Sequence, residues 1–376
     1  MQYILSDILK EYRELNVENA FQPVAVGKYG IKKREEIYKK ELAKDYSKNK
    51  VIRKDTLTIG MGSNQIDVGV LCDDFVYSVS PAYHTFKINT DIVNSKYLEL
   101  LFKANNKYFS SKHLIISARQ GKSVNIKGLL SEKVEIPDVD EQIKTIEKLS
   151  ALDSQANRLK EMFLSLDKII KSRFIEMFGR IDNTDYDLAC IRDLCEFVRD
   201  GTHQTPTYTD DTVNGFKFLS SKDVISGIID WSNIKYIPKE LHEQLYKTVK
   251  PQKNDILLAK NGTTGTAALV DVDEVFDIYV SLALLRFKKC YNPKYMLYAI
   301  NNEDTKAQFD ANLIGVGVPN LHLGRIKETK LIVPPKHLQD SFVEFVELID
   351  KTKSIVRKQI ELLQELMDKK MSEYFD

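Results

Sequence analysis

Residues 141–178 read EQIKTIEKLSALDSQANRLKEMFLSLDKIIKSRFIEMF, and residues 338–375 read LQDSFVEFVELIDKTKSIVRKQIELLQELMDKKMSEYF. Neither stretch contains glycine or proline, so nothing local prevents each from running as one long helix. The first ends Glu176-Met177-Phe178 and the second Glu373-Tyr374-Phe375, 197 residues apart in a chain of 376. In the first, Leu149, Leu152, Ala156, Leu159, Phe163, Leu166, Ile170, Arg173 and Met177 alternate in steps of three and four. The same displacement carries them onto Val346, Ile349, Lys353, Val356, Ile360, Leu363, Met367, Lys370 and Tyr374, position for position. A sustained 3.5-residue period is the pattern of a coiled-coil seam. The competing reading, an amphipathic helix lying on a globular core, expects a broader apolar face.

The segments before the helices also correspond. Val79-Ser80 and Phe86-Lys87 match Val280-Ser281 and Phe287-Lys288, and Lys96-Tyr97-Leu98 matches Lys294-Tyr295-Met296. Ser123-Val124-Asn125-Ile126 matches the stretch around Gly317-Val318-Pro319-Asn320-Leu321. The displacement drifts by a few residues, as loop insertions cause. The chain is therefore expected to be written twice, as domain, helix, domain, helix, with boundaries at 1–137, 138–180, 181–334 and 335–376. Each domain reads as β-rich. Asp255-Ile256-Leu257-Leu258-Ala259 and Leu282-Ala283-Leu284-Leu285-Arg286-Phe287 look like strands, and 95–110 and 293–309 like short helices opening at Ser95 and Pro293.

The expected class is α+β: two β-rich globular domains joined by two long antiparallel coiled-coil helices, with a pseudo-twofold internal repeat. The helices must run antiparallel, because the second starts at the domain where the first ends and has to return to share the seam. Each would be ~60 Å long at 1.5 Å per residue. With the pair centred on Leu159 and Val356, Arg173 is expected to approach Glu344 and Lys370 to approach Glu147. Heads on a spacer of this size could address two major-groove sites about one ~34 Å turn of DNA apart.

Charge nearly cancels, 55 basic against 54 acidic residues, which excludes a chain basic throughout but not a basic face. A hydrophobic content of 43% excludes a disordered chain. Cys72, Cys190, Cys195 and Cys290 are too few for a disulfide framework. No signal-peptide pattern opens the sequence and no apolar run approaches ~20 residues, so a cytoplasmic protein without membrane contact is expected.

Residues 28–54 hold eleven basic residues (Lys28, Lys32, Lys33, Arg34, Lys39, Lys40, Lys44, Lys48, Lys50, Arg53 and Lys54) against four acidic ones, interleaved with Tyr29, Tyr38 and Tyr46. Such a face suits phosphate tracking, and a merely solvated surface remains the alternative. Two glycine turns, Gly60-Met61-Gly62-Ser63-Asn64 and Asn261-Gly262-Thr263-Thr264-Gly265, fit a phosphate cradle or a tight strand-to-strand turn equally well. Arg199-Asp200-Gly201-Thr202-His203-Gln204-Thr205-Pro206 gathers hydrogen-bonding side chains of the kinds that read base edges.

An enzyme finds no support. The six histidines are scattered, and Cys190 and Cys195 lack a second local pair to close a zinc site. No Gly-x-Ser-x-Gly elbow occurs. Asn292-Pro293-Lys294-Tyr295 approximates a methyltransferase motif, but its second proline is missing and no glycine-rich cofactor motif precedes it. Its repeat mate Asn94-Ser95-Lys96-Tyr97 lacks even the first proline, so a helix N-terminus explains both. Asp310, Glu328 and Lys330 form a nuclease-like set only by coincidence of residue types, and the first half lacks the glutamate.

Taken in order along nearly the whole chain, these residues resemble the DNA-specificity subunit of Type I restriction–modification systems. The second half carries the Asp200 to His203 turn, Asn254-Asp255-Ile256-Leu257, the Asn261 to Gly265 turn and Ile332-Val333-Pro334-Pro335. The first carries Gly27-Lys28-Tyr29-Gly30-Ile31, Ser80-Pro81-Ala82-Tyr83, and Ile136-Pro137 before Glu141-Gln142. The first half lacks the Asp-Gly-x-His turn, and the helix-opening Glu-Gln survives in the second only as Leu338-Gln339, so two unlike heads are expected.

The resemblance implies a non-catalytic subunit that reads an asymmetric, interrupted double-stranded DNA target. Two methyltransferase subunits would dock on it and bring S-adenosylmethionine; restriction subunits would add ATP- and Mg-dependent translocation and cleavage. The chain itself would bind no cofactor or metal. Candidate DNA contacts are Lys28, Tyr29, Arg34, Ser80, Tyr83, Arg119 and Gln120 in the first head. Those in the second are Thr202, His203, Gln204, Lys222, Lys260, Asn261 and Thr263. A two-headed coiled-coil scaffold that binds protein is the alternative from another class.

Overall fold

Two continuous helices, Val139–Phe178 and Lys336–Phe375, hold forty residues each in the computed structural model. The structure describes residues 1–28, 30–37, 45–62, 64–117, 121–225, 227–313 and 320–375. The chain divides into two units, Met1–Glu161 with Arg357–Asp376, and Met162–Val356. Each unit contains one globular head, the end of one long helix and the beginning of the other. Within each unit the two helices therefore run antiparallel, and the class is the expected α+β.

In the first unit the head is built on an antiparallel sheet in the order Leu9–Glu11, His84–Ile88, Thr56–Met61, Ile66–Leu71. The second repeats that order with Cys195–Asp200, Leu282–Phe287, Ile256–Ala259 and Ala267–Leu269. The register is marked by two residues with positive φ, Asp55 at +61° and Asn254 at +74°, types that tolerate the left-handed region. Their amides donate to the carbonyls of Leu71 and Val270, each at 2.8 Å. Asn94 and Asn292 cap the helices that follow these sheets, Ser95–Ala104 and Pro293–Asn301, their side chains accepting from Lys96 N and Lys294 N. The reading of Asn292-Pro293-Lys294-Tyr295 as a helix start is what the structure shows.

The repeat reaches further back than the sequence revealed. Gln2–Ile4 pairs with Lys133–Glu135, and Asp187–Cys190 with Lys330–Val333, both antiparallel. Where the halves diverge is in what is inserted between these shared elements. The first head carries the hairpin Val24–Gly27 with Gly30–Lys33, and a pair Lys50–Ile52 with Tyr77–Val79. The second carries a three-stranded sheet of Lys235–Ile237, Phe216–Leu219 and Phe276–Ile278, together with a small hairpin, Val224–Ile225 with Ile228–Ile229.

One buried glutamine ties each long helix to its head. Gln142 Oε1 accepts from Asn94 N at 2.7 Å, while its amide donates to the carbonyls of Ile92 and Pro137. Gln339 repeats this, accepting from Asn292 N at 2.9 Å and donating to Pro334 O at 2.8 Å. With both side chains almost wholly buried, each amide satisfies backbone groups that would otherwise be stranded.

Along the seam, Leu149, Leu166, Ile170, Val346, Ile349, Val356 and Met367 are buried. Leu152, Leu159, Phe163, Ile360 and Leu363 are half-buried, so none of the twelve apolar seam residues faces open solvent. In the first unit Leu149 packs with Leu100 and Met371. In the second, Leu166, Ile170, Val346 and Ile349 join the core of the head itself. The expected charge contacts are corrected. Arg173 pairs with Glu176 of its own helix at 3.0 Å and lies over the Phe345 ring, not against Glu344. Lys370 pairs with Glu373, not Glu147. A partner one turn along the same helix is held there by the backbone, with no second helix needed to bring it into reach. In the second unit a cross-helix ion pair forms instead between Lys353 and Asp167.

Candidate nucleic-acid interface

In the first head, Lys28 is exposed at the end of the strand Val24–Gly27, beside the turn that Gly30 enters with φ +82°. Arg34 is half-buried, its guanidinium 5.6 Å from the Tyr46 ring centre. Ser80 and Tyr83 form one turn, Tyr83 N donating to Ser80 O at 3.1 Å. The Tyr83 ring packs against Gly60, where a Cβ would meet it at 3.0 Å and push the ring back by a few tenths of an ångström. Ile31 of the hairpin and Tyr83 pack on the same small core of Val24, Val26, Ile52, Leu71 and Val79. The structure thus brings the hairpin and the Ser80 turn together. Tyr29, Arg119 and Gln120 lie outside the described residues, as do Tyr38, Lys39, Lys40 and Lys44.

The basic run of residues 28–54 is less free than its local count implies. Arg53 forms a bidentate pair with Glu14 at 2.7 and 3.2 Å, Lys54 pairs with Asp74 at 2.9 Å, and Lys50 Nζ donates to Tyr83 O. Arg53 holds the Glu14 carboxyl below its usual range. These acids and acceptors lie outside the window of sequence in which the charge was counted.

In the second head, Thr202, His203 and Gln204 follow the edge strand Cys195–Asp200. Thr202 is pinned by its backbone, its amide donating to Ile278 O and its carbonyl accepting from Val280 N, both at 3.0 Å. His203 and Gln204 are exposed, with His203 Nε2 3.8 Å from Asp200. Lys222 is exposed on the short turn Ser221–Asp223, and Thr263 Oγ1 donates to Ser221 O at 3.5 Å. Asn261 is half-buried, paired through its backbone with Asn320. The turn carrying Lys222 is thus bonded to the one carrying Asn261 and Thr263, while Thr202, His203 and Gln204 follow Asp200.

The seventh is corrected. Lys260, expected to contact DNA, is only 5% exposed, and its ammonium sits 2.6 Å from Asp200 Oδ1. An ammonium buried against a carboxylate is not presented at the surface where a phosphate would lie. Asp200 and Ser281 were not among the candidates. Ser281 Oγ accepts from Ser221 N at 3.0 Å, and the signal for it was available, since Ser281 is the repeat mate of Ser80.

Beside the Asp200 turn lies a cleft of about 410 Å³, lined by Arg199, Asp200, Thr202, His203, Thr248 and Asp277 among others. Asp277 is almost fully buried; its Oδ2 meets His242 Nδ1 at 2.6 Å, and its Oδ1 has no partner among the described residues. Burial pushes the Asp277 carboxyl above its usual range, with the His242 contact working in the opposite direction. For a raised carboxyl, the stability contribution is complete below the unfolded pKa of about 3.9 and is lost as pH rises through the folded one. Thermal unfolding of the Asp277→Asn variant and its parent is expected to shift in the variant's favour as pH rises from about 4. A difference independent of pH would contradict this assignment.

Among the described residues no cluster of histidine, cysteine and carboxylate side chains is arranged to hold a metal ion. Cys195 is a buried free thiol, pushed up to about 12 by desolvation. No helix among the described residues is long and apolar enough to cross a membrane.

Comparison with known proteins matches the chain twice to the family model of the Type I restriction modification DNA specificity domain, over residues 5–164 and 183–365. The specificity subunit of the Type I restriction enzyme MjaVIII of Methanocaldococcus jannaschii is 22% identical over 261 residues. That match takes in 64% of this chain and spans 60% of the length of the relative. Among solved structures, a chain from a study of complex assembly and conformational transition in the type I R-M system is similar with a TM-score of 0.65 at 14% identity. It covers all of this chain and 97% of the other. The S subunit of a Type-I restriction-modification system from M. genitalium gives a TM-score of 0.53 at 13% identity, covering all of this chain and 96% of that one.

Proposed function

Because the chain belongs to the Type I restriction modification DNA specificity family, we propose that it reads a bipartite, asymmetric double-stranded DNA target, one half-site per head. The observation that carries this reading is the pair of heads itself. They share a sheet order and a glutamine clasp, yet they differ in the segments inserted at the candidate faces. A shared scaffold with unlike inserts suits two different half-sites better than a palindrome. The long helices would set the unread gap between them.

The chain contributes no catalytic group in this reading. Two methyltransferase subunits supply S-adenosylmethionine and methylate adenine, and restriction subunits supply ATP- and Mg-dependent translocation and cleavage. Exposed apolar residues on the second long helix, Leu348 and Ile355 in the second unit and Leu362 and Leu366 in the first, support docking of partner chains. A near-neutral specificity chain is physically reasonable where partners share the phosphate contacts, because base-edge contacts specify while phosphate contacts position. A cytoplasmic location follows from the same role.

Co-expression with the cognate methyltransferase subunit in a methylation-free host, followed by genome-wide mapping of methyladenine, tests the proposal. A split, asymmetric motif that vanishes when this chain is omitted is the expected result. Absence of any motif from a correctly assembled complex would favour the protein-binding scaffold.

A further inference from the structure

We propose that the Lys260–Asp200 pair, its lysine buried and its carboxylate half-buried, is a positioning element of the second head. It holds the turn carrying Thr202, His203 and Gln204 in register with the turn carrying Asn261 and Thr263, and its loss relaxes discrimination in one half-site alone. The inference rests on the DNA-reading function proposed above.

Lys260 follows Ile256–Ala259, a strand in which every side chain is buried and apolar. Its own side chain is only 6% exposed, with Nζ 2.6 Å from Asp200 Oδ1. Its amide donates to Ser281 O at 2.8 Å, and its carbonyl accepts from Leu321 N at 3.0 Å. One residue thus fixes three separate segments. The Asp200 side is equally constrained. Gly201 N donates to Leu282 O at 3.2 Å, and a Cβ on Gly201 would lie 2.2 Å from Ile278 O, so only glycine allows this close approach of the turn to its neighbours. Ser281 extends the linkage to Ser221, whose carbonyl in turn accepts from Thr263. The exposed candidates Thr263, His203 and Gln204 are each removed from the ion pair by a short bonded path.

A buried ion pair is a poor device for stability alone, since apolar residues of similar volume often hold a core as well or better. What it adds is direction: the ammonium must reach one carboxylate oxygen, which fixes the separation of the two turns. At the matching position the first head carries no lysine. With Asp55 and Asn254 setting the register, the residue matching Lys260 is Met61.

The double variant Asp200→Asn/Lys260→Met, which leaves no lone buried charge, separates positioning from stability. It is made in the full chain, co-expressed with the methyltransferase subunit, and read by methylome mapping and by melting of the purified complex. The complex is expected to assemble and to melt close to its parent, with the first-head half-site unchanged. Discrimination at one or more base pairs of the second half-site is expected to fall roughly tenfold, within the range that single mismatches command. An unaltered motif overturns the proposal, as does equal relaxation of both half-sites. Failure of the double variant to fold or assemble also overturns it, because the pair is then a stabilising element. A parent chain that yields no motif overturns the DNA-reading function itself, a result visible before any variant is made.

Discussion

Replacing Phe342 by alanine is expected to destabilise the second unit by about 3–5 kcal/mol, the usual cost of truncating a buried phenylalanine. Its ring is fully buried where the second long helix leaves the head. Ring centres lie 5.5 Å from Phe174, 5.6 Å from Phe178 and from Tyr298, and 6.2 Å from Tyr295. These partners come from both the first long helix and the head, so the cavity left by alanine has walls that cannot collapse together. Against a domain stability of about 5–15 kcal/mol this loss is severe. Denaturant titration of the full chain checks it through the midpoint of the affected transition. Leu348→Ala, at an exposed site on the same helix, is the control and should change stability by no more than about 0.5 kcal/mol. A Phe342→Ala loss below about 1 kcal/mol would show that the aromatic cluster does not hold helix and head together.

Arg286→Met is expected to cost a comparable amount, about 3–5 kcal/mol, for an electrostatic reason. Arg286 donates through Nε and Nη2 to the two oxygens of Asp255, each at 2.7 Å, and through Nη2 to Lys250 O at 2.8 Å. The Asp255 side chain is 2% exposed and also accepts from Gln252 N at 2.8 Å. Removing the guanidinium strands a buried carboxylate. Arg286→Lys should recover only part, because an ammonium cannot make the bidentate contact. Asp255→Asn/Arg286→Met should be less destabilised than the sum of its single changes, and a double-mutant cycle measures the difference. Additive losses would mean that the two residues act independently. The consequence reaches the candidate face, since Asp255 immediately precedes the strand Ile256–Ala259, which Lys260 follows.

Much of the architecture was legible from residue spacing. The three-four alternation of Leu149 through Met177, displaced onto Val346 through Tyr374, identified both long helices. It missed that the same phase begins earlier, at Gln142 with Thr145 and Gln339 with Phe342, because glutamine and threonine do not register as apolar. The N-terminal part of the repeat, Gln2–Ile4 against Asp187–Cys190, was hidden for another reason. Strands this short carry too few residues for a pattern to stand out, and pairing with Lys133–Glu135 and Lys330–Val333 depends on residues more than a hundred positions away.

The candidate interface was legible in part. The turns of the second head were located from their glycines and hydrogen-bonding residues, and the structure bonds the turn carrying Thr263 to the one carrying Lys222. Lys260 was misjudged because a lysine beside Asn261-Gly262 looks like surface until Asp200, sixty residues earlier, is seen against it. Arg53 and Lys54 counted as free charge until Glu14 and Asp74 were found beside them.

The two-fold writing of the chain and its long helices are set by residue order, since each follows from periodicity among residues within a few turns of one another. Only the tertiary structure decided which charges remain for a partner and which are used up inside the protein. Pairing depends on distance in space, and a folded chain brings Asp200 to Lys260 and Glu14 to Arg53 without leaving any periodic trace in the residues between.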